Sequence, residues 1–281
     1  MAKFKRIFAV ILSALTLAVC CTACGNEQPA QQSNGNSSVS DAKDKPSGES
    51  SKTTSDESQT TDENQATPES DFEYEDDGNQ IQLTKYKGTD SNVVIPKKIS
   101  DKSVTEIGSS AFKDNTSLES VTIPDSVTSV HYSAFDGCTN LTSITIPDSV
   151  KSISFGAFGD CTSLTNITLP NSITIIDDDT FSGCTSLTSI TIPKSVTAIN
   201  QMAFYGCTNL TSVTIPDGVI GIGRLAFGNC TSLKSITIPE SVTNINDRAF
   251  EGCTNLTEIK GTKDSAAEEF AKDNNITFTA Q

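Results

Sequence analysis

The sequence predicts a mainly β solenoid of stacked 23-residue coils, and three observations carry that prediction. Phenylalanine recurs at 112, 135, 158, 181, 204, 227 and 250, each time behind a small residue, alanine in every case but Thr180. Cysteine keeps the same phase three residues later, at Cys138, Cys161, Cys184, Cys207, Cys230 and Cys253. Segments of the type "LTSITIP" recur in the same phase. Self-similarity at one fixed period marks a chain whose units close their apolar faces only by stacking on one another.

Before the repeats, Lys3, Lys5 and Arg6 precede an apolar run from Ile7 to Val19, too short to span a bilayer comfortably. That is the shape of a signal peptide, assigned to residues 1–23. The run ends in "VCCTACGNE", which resembles the lipobox of bacterial lipoproteins, with Ala23 as the small residue before the lipidated cysteine, Cys24. Cys21 departs from the pattern, which has leucine or another aliphatic residue there, and plain cleavage after Ala23 is the alternative. Lipidation would anchor the chain, at about 0.8 kcal/mol per buried methylene. Residues 24–71 form a polar, acidic tether: Gly25 to Asp71 holds no aromatic residue, so it buries too little apolar surface to offset chain entropy.

Phe72 and Tyr74 mark the change of composition, and Ile81 to Pro96 alternates apolar and polar residues as strands do. An N-terminal opening coil covers 72–117. Six complete repeats cover 118–255, starting at Leu118, Leu141, Leu164, Leu187, Leu210 and Leu233. In "LTSITIPDSVKSISFGAFGDCTS" (Leu141 to Ser163), Ile144 and Ile146 flank Thr145, which predicts a strand with one buried face. Pro147 and Asp148 turn the chain. Val150 to Ile153 returns as a second extended segment, and a helical or 3-10 turn brings Ala157, Phe158 and Cys161 inward. A partial repeat and cap cover 256–281, with Asp264 and Ser265 as helix-start residues, Phe270 against the last coil, and a final strand at Ile276 and Phe278.

These residues carry a family resemblance. The unit "LTSITIPDSVxxIxxxAFxGCTS" looks like the BspA-type leucine-rich repeat of bacterial surface proteins, over roughly Phe72 to Gln281. "VVIPKKISDKSVTEIGSSAF" resembles the family's first unit, where extra residues after the proline lengthen the coil. The resemblance implies a right-handed leucine-rich-repeat solenoid, mainly β with short helical or 3-10 turns and a C-terminal helical cap. It also implies a non-catalytic cell-surface binding module that adheres to host or neighbouring-cell macromolecules.

Composition narrows the function further. A net charge of -15 disfavours nucleic acid as a partner, and a single histidine, His131, leaves little material for catalytic triads or imidazole metal sites. No enzyme activity, cofactor or metal is expected. The cysteine ladder invites a metal or disulfide reading, but Asn115 stands in its first place, which points to small-residue packing by buried, reduced thiols. Asp177, Asp178 and Asp179 would hold calcium only if oxygens converged from neighbouring coils, so they read as a solvated turn. His131 reads as a surface residue.

The candidate binding row is where the repeats differ: Tyr132, Phe155, Asp178, Gln201, Arg224 and Asp247. Aromatic and arginine side chains in a line resemble interface anchors. The alternative face is a regular hydroxyl ladder of Thr122, Thr145, Thr168, Thr191, Thr214 and Thr237. The expected partner is a protein or glycan, with membrane contact only through the lipid anchor. The chain is expected to be exported, anchored in the cell membrane and facing outward. The alternative role is an envelope scaffold that docks a partner of the same cell.

Overall fold

A computed structural model describes residues 65–281. The signal peptide, Cys24 and residues up to 64 of the tether lie outside the described residues.

Each coil lays one strand on each of two faces and closes through a turn on a third side. On the first face, Asn92–Val94, Ser120–Thr122, Ser143–Thr145, Thr168, Ser189–Thr191, Ser212–Thr214, Ser235–Ile238, Glu258–Gly261 and Thr277–Ala280 pair in parallel and in register. Alternation sets their orientation, since Ile144, Ile190 and Ile236 are buried between outward Ser and Thr. The proline then tightens the chain, and its carbonyl accepts the valine N–H, 3.0 Å from Val150 to Pro147. The second-face strands follow, from Lys102–Ile107 and Ser129–Val130 to Asn244–Ile245.

The inward residues of all three sides form one core, and the third side gives it a ring stack. Seven phenylalanines stack face to face, their centroids 4.9 Å apart for Phe112 and Phe135 and 5.6 Å for Phe158 and Phe181. Each cysteine thiol donates to the phenylalanine carbonyl one coil back, as Cys184 does to Phe158 at 3.2 Å. Just before each cysteine, and before Asn115 in the first place of that row, the backbone is left-handed, at Asp114, Gly137, Asp160, Gly183, Gly206, Asn229 and Gly252. Only Gly, Asp and Asn occupy that row, the residue types that tolerate such a conformation. Packing fixes the choice further, because a Cβ on Gly183 would lie 2.1 Å from the Asp160 carboxylate.

Both ends depart from the repeat. Composition places residues 65–71 with the tether, yet they join the folded body. Thr67 is buried, donates its N–H to Val94 at 2.9 Å and accepts the Val94 N–H on its hydroxyl at 3.1 Å. Polar residues suffice there because the contact is made by backbone and hydroxyl groups. The opening coil is closed by a hairpin, Phe72–Asp76 antiparallel to Gln80–Tyr86. The extra residues after Pro96 form a second one, Lys98–Ile99 against Lys102–Ile107. Its two-residue turn puts Ser100 and Asp101 at φ 50 and 63, the handedness that a tight hairpin needs. At the other end helix α1 (Ala266–Asp273) starts at Ser265, whose hydroxyl bonds Thr262 rather than capping the helix, and Phe270 sits edge-on to Phe250 at 5.5 Å.

One coil interrupts the second face. Ser152–Ile153 closes one sheet and Ile175–Ile176 opens the next, with no ladder pairing between them among the described residues. Ile173 stands there in a place that is valine at Val127, Val150, Val196, Val219 and Val242. Side chains bridge the gap: Ser172 donates to the Val150 carbonyl, and the Asn171 N–H donates to Asp148 at 3.0 Å.

Candidate binding surface

The variable row lies where the second strand turns into the phenylalanine segment, and backbone hydrogen bonds hold it in line. Ser133 N–H donates to Phe155, Gly156 to Asp178 and Asp179 to Gln201, each at 3.0 Å, and Met202 to Arg224 at 2.9 Å. The residue after each of the first five row members has positive φ, as at Ser133, Gly156, Asp179, Met202 and Leu225. That reversal turns the chain inward and leaves the row residue on the outer edge.

The structure therefore brings all six row residues onto one edge, with unequal exposure. Tyr132 is 51% and Phe155 38% exposed, and their rings stack at 5.2 Å with planes 12° apart. Gln201, Arg224 and Asp247 are exposed, whereas Asp178 is half-buried and accepts the Gln201 N–H at 2.9 Å. A stacked pair with both rings open to water is pre-ordered, so a partner that covers it loses little side-chain entropy.

The threonine face is equally regular. All six residues pair in register across successive coils, and Val94 and Lys260 continue the row at its ends. Five are exposed and Thr237 is half-buried. Their hydroxyls make no hydrogen bond to other described residues, so they face solvent as a flat, uncharged strip.

The remaining candidates go to local roles. The Asp177 carboxylate accepts from Asp178 N–H at 2.9 Å and from Asn200 at 3.2 Å, while Asp178 turns to Gln201. Burial and the neighbouring Asp178 charge push the Asp179 carboxyl up. The three carboxylates serve different partners, and no group among the described residues is placed to hold a metal ion. His131 does have a partner, since its Nε2 lies 3.0 Å from Glu106, which also accepts from Gln82 at 2.8 Å. That contact crosses coils and is invisible to local spacing. Five thiols of the ladder are buried and Cys253 is partly open, because the coil beyond it is incomplete.

Two apolar residues on the second face escaped the sequence reading. Ile175 is 44% and Ile220 59% exposed, in places where other coils have Ser152, Ala198, Thr197 or Lys151. An isoleucine among polar residues in an outward register was the available signal.

Fold and surface together define a repeat scaffold of the bacterial leucine-rich type, a class generally used for binding. The family model for the BspA-type leucine-rich repeat region matches residues 91–211 and 174–276, and the chain belongs to that family. It is similar to a leucine-rich repeat protein of T. pallidum, at 32% identity over 76% of this chain and 98% of that one, with a TM-score of 0.65. A leucine-rich repeat protein of Eubacterium ventriosum is 30% identical over 62% of this chain and 46% of its own, with a TM-score of 0.57. No curated protein matches the chain.

Proposed function

We propose that the chain is a lipid-anchored surface protein that binds host or neighbouring-cell macromolecules through its variable row. The observation that carries the reading is the exposed Tyr132 and Phe155 stack, in line with Gln201, Arg224 and Asp247. Large aromatic and arginine side chains dominate binding energy where they become buried. The lipid-anchored display rests on the basic, apolar and "TAC" pattern that ends at Cys24.

Purified protein screened against matrix proteins, mucins and glycans tests the first part beside a Tyr132→Ala, Phe155→Ala, Arg224→Ala variant. At 1 to 2 kcal/mol for each anchor, the variant's affinity should fall at least about a hundredfold. Unchanged binding would move the site to the threonine face. No binding by either protein would favour a scaffold within the envelope, to be tested by crosslinking in the native cell. For the anchor, labelled fatty acid should enter the wild type and not Cys24→Ala, and label retained in the variant would refute Cys24.

A further inference from the structure

The second face ends without a closing strand. Counting one period on from Thr243 and Ile245 gives 266 and 268, so the chain forms α1 where its next second-face strand is due. A helix directs its backbone N–H groups along its own axis, not sideways to a neighbouring strand edge as a strand does. In earlier coils these carbonyls are used: Ile199 accepts Gly223 N–H at 2.8 Å, and Ile222 accepts Asn246 N–H at 3.0 Å. The carbonyls of Thr243 and Ile245 accept nothing among the described residues. Ile245 is half-buried, although Ile176, Ile199 and Ile222 in the same row are all within 2% exposure.

Between this edge and α1 runs a groove, with one cavity of about 470 Å³ along Thr243 to Ile245 and a second of about 250 Å³ over Phe250 and Ile276. Both share Asp247, Phe270 and Asn274. The rim is acidic. Asp247, Glu269 and Asp273 make no ion pair among the described residues, while Glu251 is held by Arg248. Free carbonyl acceptors, a floor that is apolar only at Ile245, Phe250, Phe270 and Ile276, and unpaired carboxylates are complementary to an extended chain that brings N–H donors, apolar residues on one side and cations.

We propose that this groove takes an extended basic peptide segment of a partner protein, added as a strand beside Asn244–Ile245. A second copy of the chain is a poor occupant. The exposed strand at the opposite end, Phe72–Asp76, brings Glu73, Glu75, Asp76 and, just beyond, Asp77, so head-to-tail stacking would set acid against acid. The site is separate from the Tyr132 and Phe155 surface.

A fluorescein-labelled octapeptide of alternating lysine and valine is the probe, with its glutamate and valine counterpart as control. The purified protein should bind the lysine peptide, more weakly as salt rises, and not the glutamate peptide. Glu269→Lys with Asp273→Lys, both exposed on α1, should weaken binding at least about tenfold, whereas Tyr132→Ala with Phe155→Ala should leave it intact. Backbone N-methylation of the valines or of the lysines removes the donors on one edge of the strand, so one of these two peptides should lose binding and the other keep it. Affinity unchanged in the lysine variant, or equal binding by both methylated peptides, would overturn the proposal. Concentration-dependent dimerisation abolished by the same lysine variant would overturn it as well, by assigning the groove to a second copy.

Discussion

Replacing Phe181 by alanine is expected to lower the unfolding free energy by about 3 to 5 kcal/mol. The ring is fully buried and lies between Phe158 at 5.6 Å and Phe204 at 5.5 Å, so its removal strips contacts from three coils at once. Its coil is also the one that lacks second-face pairing to the coil before it. Stability in a solenoid is the sum of nearest-neighbour interfaces, and this interface already relies on the phenylalanine stack and the threonine bridges. Phe227→Ala, in a coil paired to both neighbours on both faces, should therefore cost less than Phe181→Ala. Chemical denaturation of the two variants beside the wild type measures both costs. Wild-type-like unfolding of Phe181→Ala would contradict the central place given to the stack, and equal losses would contradict the weak interface.

The repeat was legible because one residue serves one place in every coil. Phe158 predicts where Phe181 lies, and the thiol ladder follows from the same phase. Legibility stopped where the period did. Tyr86 continues the ring stack, 5.3 Å from Phe112, but it stands 26 residues before that phenylalanine because the opening coil has a different length. Thr67 was hidden for a different reason: its contribution is a backbone rung and a hydroxyl, which composition does not register. The variable row could be placed from the sequence as a set of outward residues, but not the exposure of each one. Asp178 turned aside to bond Gln201, and Tyr132 stacked on Phe155, through contacts between coils that a single coil's sequence does not contain.

The last expectation concerns alkali, and it follows from the cysteine ladder. Burial pushes the thiols of Cys138 and Cys207 from the ordinary value near 9 up to about 12. Burial also raises Cys161 and Cys184, while Cys230 is raised by its contact with Cys253 and by burial, and that contact lowers Cys253. Below pH 9 a raised thiol is protonated in both states and its contribution is complete. Between 9 and about 12 the unfolded chain releases the proton while the folded chain keeps it, so stability falls as pH rises. At 1.36 kcal/mol per pH unit and per group, Cys138 and Cys207 alone should remove about 5 kcal/mol by pH 11. That is comparable to the whole stability of an ordinary domain, roughly 5 to 15 kcal/mol, so the solenoid should unfold within this window. Tyr86, raised by burial as well, acts in the same direction, and a comparison of variants separates the two sources. Cys138→Ala with Cys207→Ala should be less stable than the wild type at pH 7, from the lost packing and thiol hydrogen bonds, yet lose stability less steeply above pH 9. Urea titrations at pH 7, 9, 10 and 11 give both slopes. Parallel slopes would mean that these thiols ionise as readily in the stacked coils as in the unfolded chain, and the ladder would then have to be open to water.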